Sequence, residues 1–177
     1  MANYIKGNLL NVFVSVKTKV GEEETVAWKF FAYTQSSGLT ISNNLQSISS
    51  KDHGNYNDKI LQESTFEISN ECYATVDNLK MGLEMARDGK EYSFAFVKVA
   101  EPESAGVTGL SGVTGVGDVS TWTPGTDVAY YGNGMVSNAQ VTSQTGEMGS
   151  MSLTITGLGG LATTAQTGDR LKSYVKA

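Results

Sequence analysis

Three glutamates, Glu63, Glu67 and Glu71, recur four residues apart in this 177-residue chain. In an extended strand that even spacing puts all three carboxylates on one face. Paired carboxylates perform acid–base chemistry when burial and neighbours push their pKa values apart. Nothing in the intervening residues signals either, which argues against sugar hydrolysis. Two readings are left: a solvated strand face, or an acidic lining that repels phosphates. The single histidine, His53, lies beside Asp52 in the polar run KDHGNYND. A histidine base needs a nucleophile and an orienting acid, and no nucleophile elbow accompanies it, so it reads as an exposed loop residue. The single cysteine, Cys72, excludes an internal disulfide and the usual multi-cysteine metal site. It falls on the apolar side of its strand and reads as a small buried hydrophobe. The glycine-rich stretch 106–117 lacks both the lysine and the following helix of a phosphate-binding loop. The sequence therefore predicts no catalytic residue, no metal and no cofactor.

The elements that position these residues alternate with a period of two. Leu10, Val12, Val14 and Val16 share one face, with Asn11, Ser15 and Lys17 opposite. KTKVGEEE links this strand to a second, where Val26, Trp28, Phe30 and Ala32 oppose Thr25 and Lys29. In a third, Leu39, Ile41 and Leu45 oppose Thr40, Ser42, Asn44 and Gln46. Residues 49–60 are too polar for a core and read as a loop. Phe66, Ile68 and Cys72 then alternate against Thr65, Glu67, Ser69 and Glu71 as a fourth strand. The period changes at 76–88, where Val76, Leu79, Leu83 and Ala86 recur at helical spacing, widened by Met81 and Met85. Thr75 or Asp77 suits the start and Gly89 the stop of that helix. A strand follows at 91–99 with Tyr92, Phe94 and Phe96 on one face. Residues 100–127, containing GVTGLSGVTGVGDVS, read as one long loop. Two strands, about 128–144 and 148–158, precede a mixed tail. The order predicts a mainly β single domain over 1–177, an antiparallel sandwich or barrel with one packed helix, and not alternating βαβ units.

The formal net charge is −5, and no basic run offsets it, so nucleic-acid binding by phosphate neutralisation is disfavoured. No apolar run reaches bilayer-spanning length. The interleaved start, MANYIKGNLLNVFVSV, is unlike a signal peptide and predicts folding in the cytosol. Only 18% of residues are charged, which is low for a soluble monomer and fits surface hidden in an assembly.

Three segments together resemble the major tail tube proteins of long-tailed phages with non-contractile tails. LTISNNLQSISSKDHGNYNDKILQESTFEISNEC is similar to that family's strand, serine-lysine-aspartate loop and strand. YATVDNLKMGLEMARDGKEYSFAF is similar to its helix feeding a strand, and YYGNGMVSNAQVTSQTGEMGSMSLTITGLGGL to its closing hairpin. The 100–127 insert departs from the pattern. The resemblance implies a fold shared with contractile-tail and type VI secretion tubes. It implies hexameric rings stacked into a virion tube that DNA traverses, assembled in the host cytoplasm. It also implies contacts with tape measure, tail terminator and baseplate proteins, and no membrane insertion.

Several strand faces carry hydroxyls and amides without charge: Thr40, Ser42, Asn44 and Gln46; Asn138, Gln140, Thr142 and Gln144; Ser152, Thr154 and Thr156. A solvated outer face is the plainer reading; a lumen wall or subunit contact is the functional one. Glu63, Glu67 and Glu71 are the candidate lumen residues. Lys51, Asp52, Tyr56, Asp58 and Lys59, mixing both charge signs, are candidate interface residues. A secreted β-sandwich binding module, an adhesin or a carbohydrate binder, is the alternative, with Trp122, Tyr130 and Tyr131 as its aromatic patch. The tube of a contractile injection system or of a gene transfer agent is a further one.

Overall fold

The computed structural model describes residues 10–20, 23–31, 33–48, 58–99 and 124–176. In chain order these form β1 (Leu10–Val20), β2 (Glu23–Phe30), β3 (Thr34–Ile48), β4 (Asp58–Tyr73), α1 (Val76–Asp88), β5 (Tyr92–Val99), β6 (Pro124–Thr142) and β7 (Ser150–Ala162). A 3-10 turn, Gly168–Arg170, leads into β8 (Tyr174–Lys176). The strands make one sheet, ordered β2-β1-β5-β6-β7-β4-β3. Its pairings are antiparallel except for β8, which runs parallel to β1 along residues 16–18. β5 holds the same flank of β1 only along residues 10–14, so β8 fills the remainder. The mainly β architecture with one helix is the one expected.

The sheet folds over because β6 and β7 each serve two halves. β6 pairs with β5 up to Gly134 and with β7 from Tyr131 onward, with register shifts near Asn133 and Ser137. β7 pairs with β4 only as far as Thr156. At the departure point the Phe66 ring lies against Gly157 and Gly132; a Cβ added at either would stand 2.3 or 2.6 Å from it. The two halves then face each other. Val12, Val14, Val16 and Phe94 of one meet Ile68, Cys72, Met151, Leu153 and Ile155 of the other in a single buried cluster. Each such side chain contributes about 1.5–3 kcal/mol by leaving water.

The alternation places β4 as read: Phe66, Ile68 and Cys72 inside, Glu63, Glu67 and Glu71 outside. In β1 it does not suffice. The face expected to be solvated is buried as well, with Phe13 fully covered and Asn11 and Ser15 buried beside it. Phe13, Ala95, Val97, Val99 and Tyr131 form a second apolar cluster on the outer side of that half-sheet. Trp28 and Phe30 pack there, partly buried, rather than in the main core. The edge of Trp28 meets Tyr131 at a centroid distance of 5.5 Å.

The helix occupies the expected residues. Thr75 caps it, its side chain accepting a hydrogen bond from the Asn78 amide, and Gly89 ends it at φ 56°. Of the expected stripe, Met85 is buried and Leu79, Met81 and Ala86 pack partly buried against the core, while Val76 and Leu83 are exposed; Asn78 and Gly82 are buried besides. The Asn78 amide group donates to the Tyr73 carbonyl, so this buried polar residue, outside the expected stripe, ties the helix to β4.

The segment after β7, expected as an unassigned tail, is pinned to the sheet. The fully buried Ser93 hydroxyl lies 2.7 Å from Asn133 Oδ1 and accepts from the Lys172 amide at 2.8 Å. Asn133 donates to the Arg170 carbonyl, Ser15 and Ser173 share a hydrogen bond, and the Tyr174 hydroxyl donates to Glu84.

Candidate functional site

The half-sheet made of β3, β4, β7 and the far part of β6 turns a polar face outward. Glu67 stands between Thr40 and Thr156, Glu71 between Ser36 and Ser152, and Glu63 opposite Asn44. Next to β7 lie Asn138, Gln140 and Thr142 of β6. All three glutamates are exposed. Consecutive carboxylates stand about 13 Å apart at ~3.3 Å per residue, beyond the Debye length, so each acts as a separate charge rather than a coupled pair. β3, β6 and β7 contain no Lys or Arg at all. The single cation of the half-sheet, Lys59, lies opposite Ser47 on the other face, because a bulge at Gln62 switches the alternation of β4. The outward face is thus acidic with no compensating cation. Among the described residues no group of three or more His, Cys, Asp or Glu side chains is arranged to hold a metal.

Among the described residues the half-sheet also has borders without a strand partner. There β3 pairs only with β4, and the Ser37 hydroxyl on it donates to the Leu10 carbonyl of β1. β6 has β7 on one side along Met135–Thr142, whereas β5 accompanies it only as far as Gly134. β3 runs for fifteen residues, TQSSGLTISNNLQSI, without a charge or a proline. Natural edges are blunted by those devices, and this one has none of them.

Beyond Phe66, β3 and β4 continue as a two-stranded arm with no third strand among the described residues, since β4 meets β7 only from Glu67. The arm exposes Ile41, Leu45 and Leu61 on its core-side face and Ile48 and Ile60 on the other, each 43–58% exposed. An isolated hairpin is marginally stable in water, and one with two apolar sides is a surface to be covered. Of the interface residues expected from sequence, Asp58 and Lys59 begin β4 within this arm. Lys51, Asp52 and Tyr56 lie outside the described residues, as do His53, the greater part of the expected 100–127 loop, and Trp122. Sequence reasoning missed the arm's apolar residues, because alternation alone assigns Ile41 and Leu45 to the core.

At the other end of β4 a corner gathers three further exposed side chains. The Tyr73 amide donates to the Tyr33 carbonyl and the Ala74 amide to the Gly149 carbonyl. Tyr33, Val76 and Met148 are thereby held around residues 73–76, and they are 64%, 71% and 74% exposed. Tyr33 is the one non-glycine residue with positive φ among those described, at 58°. A bulky residue there is strained. Under this corner, burial pushes the Cys72 thiol up to about 11, against a smaller lowering by its hydrogen bond to Asn78, so it stays protonated and a poor nucleophile at neutral pH. Tyr131, one member of the expected aromatic patch, is buried against Trp28, leaving Tyr130 as the exposed one of the described pair.

No protein-family model matches the chain, and no curated protein matches it. Solved structures do. The tail of an empty gene transfer agent particle, with C6 symmetry, superposes with a TM-score of 0.61 over 92% of this chain and 100% of that one, at 13% identity. A native gene transfer agent virion chain gives 0.58 over 90% and 98%, at 12% identity. The SPP1 tail tube gives 0.57 over 88% and 77%, at 13% identity. The chain has the tail tube fold.

Proposed function

We propose that this chain is a non-enzymatic structural subunit of a virion tail, closing into rings that stack as a tube and let DNA pass. The observation that carries the reading is the outward face of the β3–β4–β7–β6 half-sheet, which among the described residues is acidic, free of cations and bordered by two edges without a strand partner. If the β3 edge of one copy pairs with the Met135–Thr142 edge of the next, four strands per copy join a continuous wall. Six copies, the symmetry of the matched gene transfer agent tail, give about 24 strands, and spacing of ~4.8 Å with the usual tilt makes that wall on the order of 40–50 Å across. Such a channel admits a DNA duplex. Glu63, Glu67 and Glu71 then line it and keep phosphates from adhering. The 49–60 segment, with Lys51, Asp52, Tyr56, Asp58 and Lys59, contributes to contacts between copies.

On this reading the chain is one tube domain over 1–177, assembled in the host cytoplasm, with no membrane insertion of its own. Among the described residues no helix is long and apolar enough to cross a bilayer. Tape measure, terminator and baseplate proteins are its further partners, and DNA is passing cargo. A gene transfer agent tail serves equally as the particle, since two of the matched structures are of that kind. Electron microscopy and light scattering over a concentration series test the proposal. Hollow tubes of uniform width are expected. A strictly monomeric protein at high concentration, with no tubes even beside the tail's initiating proteins, refutes it.

A further inference from the structure

We propose that the seam between β1 and β3 contains a water-binding site, in which one ordered water bridges the Asn70 side chain to the hydroxyls of Thr34 and Ser37. The inference stands apart from the tube reading, since every residue in it belongs to one copy. Asn70 interrupts an apolar row. Phe66, Ile68 and Cys72 share its face of β4, and its strand partners are Ser37 on one side and Leu153 on the other. It is 2% exposed. Its Nδ2 is the one buried side-chain polar atom without a hydrogen-bond partner among the described residues. Turning the amide over exchanges an orphaned donor for an orphaned acceptor, so the unmade bond belongs to the location and not to the amide's orientation.

The neighbours decide what can complete it. The Thr34 hydroxyl donates its hydrogen to the Phe31 carbonyl at 2.7 Å and reaches Asn70 Oδ1 only at 3.4 Å. The Ser37 hydroxyl donates its hydrogen to the Leu10 carbonyl at 2.8 Å. Both oxygens keep lone pairs, and neither has a second hydrogen to give. A water supplies what this set lacks: an acceptor for the amide and two hydrogens for the hydroxyl oxygens. That makes about three bonds, the usual number for a buried water. An ion of either sign meets a wrong partner here, the amide hydrogens for a cation and the lone pairs for an anion. The position also gives the water a structural task. No ladder joins β1 to β3 among the described residues, and the Ser37–Leu10 bond crosses the gap instead. A bridging water beneath it, enthalpically close to a direct bond, ties β4 to the same hydroxyl. The two half-sheets are thereby joined at this border through side chains and solvent.

The test counts long-lived waters on the full-length chain by oxygen-17 relaxation dispersion, below the concentration at which it assembles. Asn70→Leu fills the site with a side chain of similar size and no polar atom, and it is expected to lose one long-lived water. Ser37→Ala removes one of the water's acceptors and keeps Asn70, so the same water is expected to exchange faster. Ser64→Ala, whose hydroxyl bonds Asn43 out on the arm, is expected to keep the wild-type signal. A high-resolution density map of the wild type is the second readout, with a solvent peak expected at hydrogen-bonding distance from Asn70, Ser37 and Thr34. A signal unchanged in both Asn70→Leu and Ser37→Ala overturns the assignment. So does a map with no solvent peak beside Asn70, and that map decides alone if Asn70→Leu does not fold.

Discussion

Phe66 occupies the point where three strands part company, and its ring leaves room for hydrogen alone at Gly157. A methyl group there would stand 2.3 Å from the ring, well inside van der Waals contact. Gly157→Ala is expected to destabilise the fold by about 1–3 kcal/mol, the usual cost of overpacking a tight site, read as a lowered denaturation midpoint with an unchanged slope. Cys72 makes a prediction of its own. Its thiol titrates at about 11 when folded, up from 9.0. The folded chain therefore holds this proton more tightly than the unfolded one. The stability it represents is whole below pH 9 and is lost as pH rises from 9 to 11. Burial moves Tyr92, Tyr131 and Tyr174 in the same direction, with Asp88 and Glu84 adding to it at Tyr92 and Tyr174. A melting temperature flat between pH 6.5 and 8.5 and falling above pH 9 is expected; stability that increases through that alkaline window would contradict the assignment.

Among the elements, α1 was the most legible. Its cap, its stop and its length are all local: Thr75 and Gly89 are recognisable by their own stereochemistry. Thr75→Ala should cost about 1 kcal/mol without altering the strands, measurable as a shift in the urea midpoint. The strands of the half-sheet holding the glutamates were legible too, because one of its faces is wet and alternation survives. Legibility failed where both faces are covered, as at Phe13 in β1, and where an apolar face outruns its core, as at Ile41 and Leu45. It failed at β8 as well, whose three residues carry no periodicity and owe their place to the Ser93 and Ser15 hydrogen bonds. The helix stripe departs from the reading at Val76 and Leu83, which are exposed, and the burial of Asn78 was not legible, because periodicity carries no information about its bond to Tyr73. The exposed apolar residues of the arm and of the Tyr33 corner were invisible for a related reason: exposure depends on which neighbours are absent.

At the scale of the whole molecule, the proposed tube makes charge on the outward face a matter of transport rather than stability. Replacing Glu63, Glu67 and Glu71 together by Lys touches only exposed side chains. Stability should change by less than about 0.5 kcal/mol per site, while passage of DNA through assembled tubes slows, with the retardation easing as salt rises. Cysteines placed at these positions in intact tubes should react with small reagents and be shielded from protein-sized ones. Ready labelling by a bulky reagent would put the face outside. The parallel seat of β8 on β1 has a consequence measured in time. Ser15 and the Ser173 it bonds are 158 residues apart in sequence. At ribosomal speeds of ~5–20 residues per second, β1 waits roughly 8–30 s for the strand that completes its flank. During translation the growing chain therefore carries β1 with part of one flank open. The arrival of β8 sets the moment at which that flank of β1 is closed.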